Sequence, residues 1–242
     1  MPPEVAPPFQ AFGPVHLATL AVLAALGTTM IVCRWWSPRL GRIWERGMAV
    51  ALLLAWPSAV AIHWWIGTLD AQTLLPLHFC DLAALTGAAA LLTHRQIYCE
   101  IVYFFGLAGT LQGLITPALT YDFPHLRFFH FFLLHGGVVI TALYVVTAMR
   151  HQPRPGAIWR MLLLTLAYAG LVSIVNAVFG TNFGFLSSKP PTASLIDHLG
   201  EWPWYIGWMV VLAGLFYTLL YLPFWIRSRF PPKRSCHVRA SR

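Results

Sequence analysis

The sequence predicts an all-α, polytopic membrane protein, a seven-transmembrane-helix bundle with its N-terminus outside and its C-terminus cytoplasmic. Three observations carry this. First, 58% of the 242 residues are hydrophobic and only 10% are charged, against about 25% charged in soluble domains. Such a chain cannot cover a soluble surface, and it is too apolar for disorder. Second, seven runs are long enough to cross a hydrocarbon core of about 30 Å as helices. Third, the basic residues fall almost entirely on one side, in every second connection between those runs and in the C-terminal tail.

The runs read Val15–Trp35, Met48–Leu69, Leu75–Leu92, Ile97–Thr116, Phe128–Met149, Trp159–Phe179 and Tyr205–Ile226. Stretches such as Ala49–Ala55 do not alternate polar with apolar residues, which excludes the strands of a membrane β-barrel. Met1–Pro14 is proline-rich and reads as an extended extracytoplasmic tail, residues 15–226 as the transmembrane domain, and residues 227–242 as a basic cytoplasmic tail lying near the headgroups. The first run has no basic residue before it and a basic cluster after it, so it reads as a retained anchor rather than a cleaved signal peptide. No internal repeat supports an inverted-repeat transporter.

Orientation follows from Lys and Arg. Fourteen of the 16 fall on one side: Arg34, Arg39, Arg42 and Arg46 after the first run, Arg95 before the fourth, Arg150, Arg154 and Arg160 between the fifth and sixth, and six in the C-terminal tail. Only Arg127 and Lys189 face the other side. The positive-inside rule makes the first side cytoplasmic. The net charge of +8 then reflects topology and attraction to anionic lipid, and no compact basic domain exists to bind nucleic acid. Tryptophans near the run ends form two interfacial belts, with Trp64, Trp65, Trp202, Trp204 and Tyr205 outside and Trp35, Trp36, Trp44, Trp159 and Trp225 inside. Cys33, Cys99 and Cys236 lie toward the inner side and Cys80 toward the outer, so no disulfide framework is expected.

Polar residues inside a membrane are costly and usually functional. Here they gather at the outer ends of the runs: His63, His78, Cys80, Asp81, Gln112, His130, His135 and Asn176, with Asn182 and Lys189 in the long outer loop. On the inner side Glu100 stands out, with Arg95 as its expected partner. Pro76 suits a first helical turn, which puts Cys80 in the second, on one face with Ala83, Ala84, Gly87 and Ala88. That small-residue stripe lets a neighbouring helix approach. Cys80 is then either a small packing residue or a nucleophile. His135, embedded and followed by Gly136 and Gly137, is either a hydrogen-bonded core residue or the base of a Cys–His pair. His78, Cys80, Asp81, His130 and His135 show no tight metal-ligand spacing on one helical face, so neither a metal nor another cofactor is expected.

Seven helices with the N-terminus outside, Leu74-Leu75-Pro76-Leu77-His78-Phe79-Cys80-Asp81 opening the third run, His135 in the fifth, and Gly-Thr-Asn-Phe-Gly-Phe-Leu-Ser-Ser-Lys-Pro after the sixth resemble the YwaF-type bacterial integral membrane family. That family is similar to the eukaryotic transmembrane protein 164 group, and the resemblance spans nearly the whole chain. It implies a multi-pass protein of the bacterial inner membrane. It also implies an acyltransferase that moves fatty acyl chains between phospholipids through a cysteine thioester, with Cys80 in the Leu-His-x-Cys pattern and His135 as the histidine. Asp81 after the cysteine and the Asn182–Pro190 loop are departures from the eukaryotic pattern. Within that reading Asn176, Asn182 or a neutral His130 would donate to the oxyanion, His78 and Asp81 would pair, and Arg127 and Lys189 would hold a lipid phosphate. The alternatives are an outward-facing protein that binds or transports a small solute or metal, and a structural membrane protein without chemistry.

Overall fold

The computed structural model describes residues 7–190 and 194–230. Among these, seven helical spans are long and apolar enough to cross a membrane. They are α1 (Pro14–Trp36), α2 (Pro38–Trp65), α3 (Ala71–Leu74) with α4 (Phe79–Thr93), α5 (Gln96–Phe105) with α6 (Leu111–Ile115), α7 (Leu126–Thr147), α8 (Ala157–Phe179) and α9 (Trp204–Arg229). A π-helical turn, Gly106–Thr110, joins α5 to α6. Most of the predicted tail 227–242 lies outside the described residues, as does the start of the predicted tail 1–14; α9 runs to Arg229, beyond the expected end at Ile226.

Two boundaries move for local reasons. α2 starts ten residues earlier than the apolar run, because Ser37 accepts a hydrogen bond from the Leu40 N–H and Pro38 occupies the first helical position. Arg39, Arg42 and Arg46 therefore sit on a helix rather than in a loop. The third span is broken. Leu75, preceding Pro76, is extended, as steric clash with a following proline requires. The helix resumes only at Phe79, with His78 as its N-cap. Cys80 consequently lies in the first turn of α4, not the second.

Without a hydrophobic driving force between helices in lipid, close packing must hold the bundle. The small-residue stripe of α4 provides it: Ala83, Ala84, Gly87 and Ala88 are all buried. A Cβ on Gly87 would meet Leu52 of α2 at 3.2 Å, Val102 of α5 at 3.1 Å and Thr141 of α7 at 3.6 Å. On α7, Gly136 seats Leu23 of α1 and Gly137 seats Leu52. α4 to α7 thus form the interior, while α8 and α9 pack mainly on each other at the periphery. Tyrosines tie that pair to the bundle. Tyr168 donates to the Leu77 carbonyl at 2.7 Å and Tyr103 to the Leu220 carbonyl at 3.0 Å, while Tyr217 of α9 shares a 2.8 Å hydrogen bond with Thr165 of α8 and holds the pair together.

The segment before α1 is not a free tail where it is described. Phe9 N–H donates to the Thr120 carbonyl and Asp122 N–H to the Pro7 carbonyl, and the Phe9 ring packs among His16, Phe128 and Phe132. Most belt tryptophans are exposed, but Tyr205 is fully buried, its hydroxyl bonded to the Phe185 carbonyl at 2.6 Å. It is a packing residue, not an interfacial anchor.

Candidate functional site

Two helices carry the candidate residues, and a third packs against both. α4 and α7 run in the same direction, both antiparallel to α5–α6. Along the fourth span, Gly106 meets Val138 and Ala142, Gly109 meets the ring of Phe79, and Gly113 meets the ring of His135. A Cβ on Gly109 would lie 2.7 Å from Phe79 Cε1, and one on Gly113 would lie 3.1 Å from His135 Cδ2. Phe79, the neighbour of Cys80, and His135 therefore rest on glycines one turn apart on one helix. Depth agrees with this. Cys80 lies seven residues before Gly87, and His135 six before Thr141, the residue Gly87 faces. At 1.5 Å per residue the two positions differ in level by about 2 Å. Being seven residues apart, Cys80 and Gly87 also share a helical face, and that face looks into the bundle. Cys80 is half-buried against the main core.

His135 has a defined tautomer. Its Nδ1 lies 2.9 Å from the Phe131 carbonyl oxygen, and only a protonated Nδ1 can make that bond. When the ring is neutral Nε2 carries the lone pair, and it lies 3.3 Å from where a Gly113 Cβ would be. The ring is further held by stacking on Phe131 with centroids 3.9 Å apart. A neutral imidazole fixed by one nitrogen, with the other bare, is the form a general base requires.

The remaining expected residues serve other purposes. The Asp81 carboxylate accepts from the backbone N–H of His78 at 3.0 Å; it caps α4 and does not pair with the imidazole as expected. The His78 ring packs edge-on against Phe183 and lies near Phe185. His130 Nε2 is 3.0 Å from the Ala55 carbonyl oxygen and donates to it. Asn176 is committed to the loop after α8: its Nδ2 donates to the Phe183 carbonyl, and its Oδ1 accepts from Phe183 N–H and Thr181 Oγ1. Asn182 Nδ2 donates to the backbone carbonyl and hydroxyl of Ser188, and its Oδ1 accepts from the N–H groups of Ser187 and Ser188. These three side chains are thus occupied with structure and are not aimed at a reacting oxygen. Lys189 pairs with the exposed Glu201 at 3.5 Å. Arg127 makes no ion pair among the described residues; its guanidinium lies over Tyr121 at 5.9 Å. Tyr121 in turn stacks on His125, whose pKa is lowered by partial burial and by Arg127.

Sequence reasoning named Glu100 but missed Glu45 in a second polar region at the opposite, arginine-rich end. Glu45 is 2% exposed. It accepts from Tyr144 at 2.8 Å and bonds His94 at 3.1 Å, with Arg34 at 3.7 Å. Glu100, equally buried, is held by Arg154 and Arg160 rather than the expected Arg95. Arg154 supplies both a forked guanidinium contact and its backbone N–H. The periodicity of α2 could have revealed Glu45, since Gly41, Glu45, Met48, Ala49, Leu52 and Ala55 form one buried stripe. A groove of about 470 Å³ between α8 and α9, lined by Trp159, Leu162, Gly214, Thr218 and Tyr221, also lies toward this end.

The whole arrangement has a family. Residues 11–221 match the TMEM164 family. The chain belongs to the TMEM164 family. A relative in Treponema pallidum (strain Nichols), described as an uncharacterized protein, is 23% identical over 221 residues, covering 89% of this chain and 90% of the relative. No solved structure matches. The match covers six of the seven spans entirely and most of α9, so Leu77-His78-Phe79-Cys80, His135 and the loop after α8 all fall within it.

Proposed function

We propose that this TMEM164-family protein is a cysteine-dependent acyltransferase of the bacterial inner membrane, exchanging fatty acyl chains between phospholipids of the outer leaflet. The observation that carries the reading is the convergence of the Phe79–Cys80 turn and a base-form imidazole on one glycine-lined helix at matching depth. The family resemblance supplies the acyl chemistry; the residues supply a means. His135 Nε2 takes the Cys80 thiol proton, and the sulfur bonds to the ester carbonyl carbon. Collapse of the tetrahedral adduct breaks the carbon–oxygen bond, and the departing lysolipid alkoxide regains the proton from His135. A second lysolipid hydroxyl, deprotonated by His135, attacks the thioester and returns the thiol. Arg127, free of ion pairs among the described residues, is assigned to the lipid phosphate.

Acyl exchange between a radiolabelled phospholipid and a lysophospholipid in vesicles tests this. The purified protein is expected to move label, and Cys80→Ala and His135→Ala are not. Equal exchange by wild type and Cys80→Ala would contradict it.

A further inference from the structure

The proposed acyl transfer needs a hydrogen-bond donor for the carbonyl oxygen that becomes negative, and Asn176, Asn182 and His130 are all engaged elsewhere. Two buried threonine hydroxyls, those of Thr110 and Thr141, are not. Thr110 is 3% exposed, and its Oγ1 is buried without any hydrogen-bond partner among the described residues. Other membrane threonines here return their hydroxyl to the carbonyl four residues back: Thr28 to Ala24, Thr86 to Leu82, Thr165 to Met161 and Thr218 to Gly214. Thr110 does not, because it closes the π-helical turn Gly106–Thr110. There the Leu111 N–H reaches Gly106 O, five residues back, and the widened turn moves that carbonyl away from the hydroxyl.

Its place in the chain points it at the site. Thr110 follows Gly109, on which Phe79 rests, and precedes by three residues Gly113, on which His135 rests. It shares the face of Gly106 and Gly113, the face that meets α7. Thr141, the other buried threonine with an unpartnered hydroxyl, sits six residues beyond His135, about 9 Å deeper, and cannot serve the same atoms. We infer that Thr110 is a further catalytic residue, its hydroxyl donating a hydrogen bond to the acyl oxygen while Cys80 attacks. The inference rests on the thioester reading. Thr110 transfers no proton: it holds the oxyanion while His135 moves the proton from sulfur to the leaving oxygen. The π turn leaves this hydroxyl unspent in the resting protein, so no internal bond must break before it binds substrate.

The test is single-turnover acylation of the full chain in vesicles of phosphatidylethanolamine and phosphatidylglycerol with radiolabelled acyl chains. Wild type forms a hydroxylamine-labile thioester. Thr110→Val, nearly isosteric, is expected to acylate about 10²–10³-fold more slowly with substrate dependence unchanged, and Thr110→Ser to stay close to wild type. Thr110→Val acylating at the wild-type rate, or Thr110→Ser losing as much as Thr110→Val, overturns the inference and leaves the thioester reading standing. No thioester on wild type overturns both. Independently of any variant, the isotopically labelled carbonyl of the wild-type acyl-enzyme should absorb at lower wavenumber than a thioester in hydrocarbon; an unshifted band also overturns it.

Discussion

The His78 ring packs edge-on against Phe183, with centroids 5.1 Å apart and planes at 66°. This contact joins two segments a hundred residues apart: the capped start of α4 and the loop after α8. Gln72 reinforces it by accepting from Asn182 N–H at 3.1 Å, and Tyr168 by bonding the Leu77 carbonyl. The loop therefore braces the turn that carries Cys80.

Asn176 is the brace's anchor, since it holds Phe183 through both its N–H and its carbonyl. Asn176→Ala removes those bonds in a buried place and is expected to cost about 1–3 kcal/mol. Acyl exchange should fall by more than the lost folded fraction, because the α4 start loses its support. Thermal melting together with the exchange assay checks this; unchanged activity would show that the loop does not steady the site.

Gly113 sets the position of His135. Gly113→Ala places a methyl 3.1–3.3 Å from the imidazole edge that bears the bare nitrogen. The expected result is activity reduced at least tenfold, with stability lowered by about 1–3 kcal/mol from overpacking. Gly170→Ala is the matched control, because nothing lies within 4 Å of its Cβ position. Equal activity in the two variants would contradict the contact.

At the opposite end, Tyr144→Phe deletes the hydroxyl that donates to the buried Glu45 carboxylate. The charge loses a partner where water cannot replace it, so a loss of about 1–3 kcal/mol is expected. Acyl exchange by the folded protein should be unchanged, because this cluster lies at the other end of the bundle from His135. Denaturant-induced unfolding in detergent measures the first expectation and vesicle exchange the second.

His151, in the connection between α7 and α8, is held below its ordinary pKa by partial burial and by nearby His94. The unfolded chain therefore binds this proton more readily than the folded one. The stability linked to neutral His151 is complete above about pH 6.5 and is lost as pH falls through the lowered folded value. Its Nδ1 bonds Gln96 Oε1 at 2.7 Å. An NMR titration of its ring should give a midpoint below 6.5, and His151→Gln should flatten the fall in melting temperature between pH 7 and 5. A midpoint above 6.5 would contradict this.

The seven spans were legible because burying a peptide backbone in lipid demands long apolar helices, a signal that composition alone carries. Cys80 and His135 stood out because polar groups at depth are rare. How their two helices pack was not legible, since Phe79 and His135 rest on Gly109 and Gly113 of a third helix, and spacing within a run says nothing about that. The loop contacts of Asn176 were not legible for a related reason: an amide closing a helix reads the same in sequence whether it serves a loop or a substrate. Glu45 was hidden among arginines that looked like a solvated loop, although Ser37 and Pro38 are the signals that start a helix there. Thr110 gave no sign, because nothing in Gly-Leu-Ala-Gly-Thr announces a π turn.

Acyl transfer through Cys80 requires a covalent bond at one sulfur, and intact-protein mass spectrometry after incubation with phospholipid vesicles reads it directly. Wild type should gain the mass of a fatty acyl group, mapped to Cys80 and removed by neutral hydroxylamine, with the gain abolished in Cys80→Ala and strongly slowed in His135→Ala. An unmodified wild type, or the same adduct on Cys80→Ala, would contradict the mechanism.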